Sequence, residues 1–204
     1  WDEKKPIVDP MCGSGTILIE AALRYLRRAP GTLRKSFAIQ GLKNFQEDAW
    51  DRVLNEVIEQ EKDIEERPEQ LMFFGYDNDK RAIKMAMENA RKAGVDHLIQ
   101  FHRGDVSELE APVESGVVIT NPPYGIRVGD EFFLTEAYKN LSHSLKEHFK
   151  GWDVYVLSGN RELTKHLGMK AEQRFPVVNG GIDCRLIHYK VKSEKIVRTT
   201  KSET

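Results

Sequence analysis

Apolar and polar positions follow two rhythms along this chain. Short apolar runs bounded by turn residues recur at residues 6–9, 71–76, 98–102, 116–120 and 152–157, each the length of a buried strand. Between them, residues 16–27 carry Ile17, Leu18, Ala21, Ala22 and Leu26 at helical spacing, and 79–93, 131–149 and 161–167 share that period. The Ala29-Pro30-Gly31 sequence stops the first of these helices and Gly94 the next. Strands separated by helices predict parallel pairing through right-handed crossovers, with ligand sites at the carboxyl ends of the strands. The fold class expected is therefore α/β, doubly wound and Rossmann-like, with a mostly parallel sheet. Residues 170–178 and 182–192 flank Asn179-Gly180-Gly181, a hairpin signal that adds an antiparallel C-terminal strand.

Composition changes this picture little. A chain of 204 residues suits one domain, expected over 1–192, with an insertion at about 29–70 that carries a helix over 47–66. Residues 193–204 form a polar tail. Charged residues make up 31% and hydrophobic ones 40%, a globular profile, and no apolar run approaches the roughly 18 residues of a membrane span. Cys12 and Cys184 are the two cysteines and the six histidines form no ligand pattern, so neither a metal nor a disulfide is expected. That usage fits reduced thiols and a cytoplasmic protein. The start at Trp1, almost directly before a strand, reads as a piece of a longer polypeptide. A net charge of -1 gives no general attraction to nucleic acid. Arg24, Arg27, Arg28, Arg34, Lys35 and Lys43 nevertheless follow one another without an acidic residue. That stretch fits equally a solvated face or a phosphate-contacting patch.

Asp9-Pro10-Met11-Cys12-Gly13-Ser14-Gly15-Thr16 joins the first strand to the first helix. Glycines at such a turn let the backbone approach a nucleotide-like cofactor. A phosphate-binding loop would need Gly-Lys-Ser/Thr, whereas Thr16 and Ile17 follow Gly15; a dinucleotide fingerprint would need a small residue where Leu18 stands. An aspartate at the strand tip, Asp9, would repel a pyrophosphate but can accept from the ammonium of a methionine moiety. Asp77, followed by Asn78, ends the second strand where a carboxylate can take ribose hydroxyls; Asp79 is its rival, or else a helix cap. Asp105, followed by Val106, ends the third and can accept from an adenine amino group. Alone, each aspartate reads as a cap or turn residue. Together, at three successive strand ends, they point to S-adenosylmethionine.

Asn121-Pro122-Pro123-Tyr124 follows the fourth strand. An aromatic amine is a poor nucleophile because its lone pair is delocalised into the ring. The Asn121 side-chain oxygen and the Pro122 carbonyl can each accept one N–H, turning the lone pair toward an incoming methyl group. The two prolines fix those acceptors in advance. The Tyr124 ring offers a surface for an extruded base, a contact of about 1–3 kcal/mol. Such logic serves guanine, adenine, cytosine or a glutamine amide. Without the glycine turn upstream, a packed tyrosine in a Pro-rich turn would be the simpler reading. Cys12 lies in the cofactor turn rather than beside a target base and is not read as a nucleophile. Cys184 reads as strand core, and His143 and His148 as surface or half-buried.

Residues 9–22, Asn121 to Gly125 continuing to Gly129-Asp130, Tyr155 to Asn160, and Asn179-Gly180 to Arg185 together resemble the THUMP-associated RNA guanine-N2 methyltransferases, most closely the RlmL type acting on 23S ribosomal RNA. The resemblance covers nearly the whole chain. It implies a class I methyltransferase sheet, S-adenosylmethionine as donor with S-adenosylhomocysteine as product, ribosomal RNA as partner, and an N-terminal THUMP domain beyond this chain. By that resemblance Asp9 to Thr16 surround the methionine part, Asp77 and Asn78 the ribose, and Asp105 and Val106 the adenine. Asn121 to Tyr124 then hold the target amine, with Asn121 also touching the cofactor. Ile126 stands where relatives often carry a charged residue. A non-catalytic RNA- or cofactor-binding module is the reading from another class.

Overall fold

The computed structural model describes residues 1–62, 72–125 and 131–192. Expectations for the end of the insertion helix, for Leu71, for Ile126 with Gly129-Asp130, and for the tail 193–204 lie outside the described residues. The chain divides into two units, Trp1–Gly104 and Asp105–Thr204.

In the first unit, strands β1 (Ile7–Asp9), β2 (Phe73–Asp77) and β3 (Ile99–Arg103) pair in parallel, with β2 in the middle. The register sets Asp9 opposite Gly75 and Asp77 opposite Arg103. Helix α1 (Thr16–Tyr25) buries Leu18, Ile19, Ala22, Leu23 and Tyr25; of the residues its spacing singles out, Leu18 and Ala22 are buried, while Ile17, Ala21 and Leu26 are half-buried, so the core face is turned toward Ile19 and Leu23. Fully burying a leucine or isoleucine contributes about 1.5–3 kcal/mol. The insertion starts with 3₁₀ turns at Pro30–Leu33 and Ala38–Gly41, too short to leave a periodic signal, and continues into α2 (Glu47–Lys62). There Trp50 gathers the rings of Phe37 and Phe45 at 5.0 and 6.2 Å. Helix α3 (Lys80–Ala93) buries Ile83 and three alanines, Ala86, Ala90 and Ala93, whose small side chains let it lie close to its neighbours. It begins at Asp79, whose carboxylate accepts from the Arg81 amide, and stops at Gly94 in the left-handed region, φ 69°.

In the second unit, β4 (Val117–Thr120) runs parallel to β5 (Asp153–Ser158). Strand β7 (Ile182–Lys190) pairs antiparallel with β5, and β6 (Ala171–Asn179) antiparallel with β7. The link between β6 and β7 is Gly180-Gly181, both at positive φ (56° and 82°), which only glycine adopts freely and which matches the twist of a tight hairpin. Helix α4 (Glu131–His148) contributes Tyr138, Leu141 and Leu145 to a core completed by Phe149, Trp152, Val154 and Val156. His143 and His148 are exposed. A short helix, α5 (Arg161–Lys165), follows β5 and is capped by Asn160, which accepts from the Glu162 and Leu163 amides. Among the described residues no helix is long and apolar enough to cross a membrane.

Candidate active site

The first unit brings together the glycine turn and Asp77. Asp9 is only 2% exposed, and its Oδ1 accepts from the Met11 amide at 3.2 Å. The Cys12 amide donates to the Tyr76 carbonyl at 2.9 Å, and the Gly13 amide to Asp77 Oδ2 at 2.9 Å. The other Asp77 oxygen accepts from the Asp79 amide, also at 2.9 Å. Asp77 therefore holds the turn against the end of β2, and the free lone pairs of its oxygens can still accept from a diol. Asp79 serves as the cap of α3, its carboxylate accepting from the Arg81 amide at 2.8 Å. Asn78 is exposed, with its carbonyl held by Arg103 Nε at 3.2 Å.

Two glycines of the turn are required for different reasons. Gly13 sits at φ 53° with no atom of the described residues within 4 Å of where a Cβ would stand. Gly15, at φ 81°, would press a Cβ to within 2.9 Å of the Phe101 ring and 3.1 Å of Ala86. Asn89 of α3 adds an anchor, donating to the Ser14 carbonyl at 3.1 Å, while the Ser14 and Thr16 hydroxyls lie 3.1 Å apart. Neither Asn89 nor Phe101 carries a local signal of this role; only the packing of α3 and β3 against the turn shows it. Helix α1 starts here without a side-chain cap and without an acidic residue in its first turn. A glycine turn, an uncapped helix start and two carboxylates fit a zwitterionic, cationic ligand, which can turn its carboxylate toward the amides, its ammonium toward Asp9 and a ribose diol toward Asp77. Those same two carboxylates act on Cys12. Burial first, then the negative charges of Asp9 and Asp77, push its thiol far above the ordinary range, so it is a neutral thiol and no nucleophile.

In the second unit Asp105 caps a 3₁₀ turn at Val106–Glu108, accepting from the Ser107 amide at 2.9 Å and hydroxyl at 2.6 Å. Val106 is buried, and its carbonyl accepts from the buried Ser144 hydroxyl of α4 at 2.6 Å. Asn121-Pro122-Pro123-Tyr124 leaves the end of β4 with Asn121 exposed, Pro122 buried, Pro123 exposed and Tyr124 half-buried. Directly before it, Thr120 is fully buried and its hydroxyl has no partner among the described residues. The Tyr124 ring lies against the end of β5, where a Cβ on Gly159 would come within 3.1 Å of it. Its hydroxyl accepts from Asn179 Nδ2 at 2.8 Å and meets Cys184 Sγ at 3.6 Å. Desolvation and the neighbouring Cys184 raise the phenol above its usual range against the opposing effect of Asn179, so Tyr124 stays neutral. Cys184 is thus core, as the sequence predicts, but it also abuts the acceptor loop. The sequence motif contained Asn179 only as a turn residue.

Solved structures share this fold. SMU.472, crystallised in complex with SAH, superposes with a TM-score of 0.79 at 30% identity over 96% of this chain and 50% of that one. The curated protein slr0064 of Synechocystis sp. is 38% identical over 191 residues, 94% of this chain and 49% of its own length. The ribosomal RNA large subunit methyltransferase K/L of Vibrio parahaemolyticus is 39% identical over 94% of this chain and 27% of its own length. The chain thus spans half or less of these relatives. Fold and site together define a doubly wound, Rossmann-like α/β domain of the methyltransferase class. The chain belongs to the UPF0020 family, RMKL-like methyltransferase domain, whose model matches residues 1–188.

Proposed function

We propose that this chain catalyses S-adenosylmethionine-dependent methylation of RNA, and that the acceptor is the exocyclic N2 amine of a guanine in 23S ribosomal RNA. The observation that carries the reading is the Asn121-Pro122-Pro123-Tyr124 segment at the end of β4, its tyrosine clamped by Asn179 and Cys184. Family membership and the ribosomal RNA methyltransferases among the relatives support RNA as substrate. The glycine turn, and a structural neighbour solved with SAH, support the cofactor. Bound there, S-adenosylmethionine supplies a methyl group activated by its sulfonium.

The chain's own residues bind and orient. Asp9 to Thr16 hold the methionine part, Asp77 with Asn78 the ribose, and Asp105 with Val106 the adenine ring. The Asn121 side-chain oxygen and the Pro122 carbonyl accept the two amine hydrogens, which rotates the nitrogen lone pair out of conjugation. Preorganised acceptors of this kind act without reorganising during the reaction. Tyr124 offers its ring to the extruded base. As the new N–CH3 bond forms and the S–CH3 bond breaks, the nitrogen gives up one proton to water, and no strong base is needed.

The test is methyl transfer to unmodified ribosomal RNA, read by mass analysis of nucleosides. N2-methylguanosine is the expected product, and Asn121→Ala abolishes it while S-adenosylhomocysteine binding persists. Methylated adenine or cytosine would overturn the guanine assignment, and full activity in the variant would overturn the role of Asn121.

A further inference from the structure

We propose that a cleft beside the acceptor loop receives one nucleotide of the RNA strand adjacent to the target, its phosphate held by Arg161 and Arg185. The inference rests on the RNA methyltransferase reading above and adds the place where the neighbouring nucleotide sits. The cleft has a volume of about 430 Å³ and lies between the β5–α5 junction and the β6–β7 hairpin. Such a volume suits a ligand of nucleotide size.

Its position ties it to the acceptor loop. Gly159 and Cys184 line the cleft, and both also lie against Tyr124, Gly159 beside its ring and Cys184 at its hydroxyl. A base turned out of its stack toward Tyr124 brings its strand with it, so a site one wall away meets the flanking nucleotide.

Its chemistry is two-faced in the way a nucleotide requires. Pro176, Val177 and Val178 give an apolar wall for a base or sugar. Arg161 and Arg185 line the same space, and neither guanidinium makes a hydrogen bond or ion pair among the described residues. Among the described residues Asp183 is the one carboxylate lining the cleft, which leaves the pair of arginines in excess. Several polar oxygens of the cleft are already engaged, among them the Thr164 hydroxyl, which donates to the Arg161 carbonyl. Ser158 Oγ is shared with the Tyr138 hydroxyl and the Asn160 backbone, and the Asn160 side-chain oxygen caps α5. Two guanidiniums without a partner among the described residues, beside an apolar wall, match a phosphodiester, whose oxygens they can take bidentately.

The experiment measures binding of a labelled single-stranded guanine-containing RNA to the wild-type chain, Arg161→Gln, Arg185→Gln and the double variant, as KCl rises from about 50 to 200 mM. Each substitution is expected to weaken RNA binding several-fold at low salt and to flatten the plot of log affinity against log salt by about 0.7. Affinity for S-adenosylhomocysteine should stay at the wild-type value, which also reports an intact fold. A double variant with wild-type affinity and slope overturns the cleft assignment and leaves the RNA methyltransferase reading standing. Absence of both RNA binding and methyl transfer to RNA in the wild-type chain overturns the two together. If Arg185→Gln loses its melting transition, Arg161→Gln decides alone, because Arg161 is exposed on α5.

Discussion

Asn179, the last residue of β6, donates its side-chain amide to the hydroxyl of Tyr124 at 2.8 Å, across 55 positions of sequence. A turn-forming residue of the hairpin thereby fixes the ring of the acceptor loop. Asn179 is exposed and belongs to no core, so its removal should leave the fold intact. Losing the bond costs about 0.5–1.5 kcal/mol, hence Asn179→Ala is expected to lower the rate of methyl transfer roughly 2- to 10-fold. Cofactor affinity should not change. Steady-state kinetics beside a cofactor titration check this, and an unchanged rate would show that Tyr124 is held by packing alone.

Gly75 faces Leu18 and Phe101 so closely that a Cβ would stand 2.6 Å from the Phe101 ring and 2.9 Å from a Leu18 methyl. Gly75→Ala is therefore expected to destabilise the chain by about 1–3 kcal/mol through overpacking. Trimming the obstacle should recover part of the loss: in the double variant with Phe101→Leu the two effects combine less than additively. Urea unfolding midpoints for the four proteins supply the cycle, and strict additivity would mean that some other atom is the obstacle.

Cys12 is a buried residue of the glycine turn, and its thiol is pushed up by desolvation and then by Asp9 and Asp77. Because only the thiolate is alkylated at a useful rate, the native chain at about pH 8 should leave Cys12 unmodified by iodoacetamide. Denaturation should expose it to full reaction. Peptide mass analysis resolves the site, and rapid native labelling would contradict a neutral thiol there.

Much of this was readable in the chain because burial writes a period. The apolar run at 116–120 and the helical spacing at 131–149 became β4 and α4 with ends moved by a residue. The glycine turn was legible for the same local reason: the turn and the tip of β1 are contiguous in sequence. What stayed hidden depends on register and packing between distant segments. Parallel pairing sets Asp9 opposite Gly75, which brings Asp77 within reach of the Gly13 amide. No pattern around Phe101 announces that its ring lies under both Gly15 and Gly75. Asp105 illustrates the opposite limit, since the same carboxylate that reads as an adenine acceptor also serves as an ordinary cap for its own 3₁₀ turn.

Asp153 links β5 to β7, its two oxygens meeting His188 Nε2 at 3.0 Å and Lys190 Nζ at 2.9 Å. Burial by itself would raise this carboxyl, but the bonds and charges of Lys190 and His188 outweigh it and hold the group below its ordinary value. A carboxyl lowered in the folded state binds its proton more readily once unfolded. Its stabilising contribution is therefore fully present above the ordinary aspartate value of about 3.9 and is lost as pH falls through the lower folded value. Asp153→Asn should accordingly cost up to about 1 kcal/mol at neutral pH, the scale of a partly exposed ion pair. That difference should shrink in about 1 M salt and vanish in acid, with the wild-type and variant unfolding midpoints converging once the pH lies below the lowered folded value. A deficit that persisted unchanged into acid would mean that the amide fails through packing or a lost hydrogen bond rather than through charge.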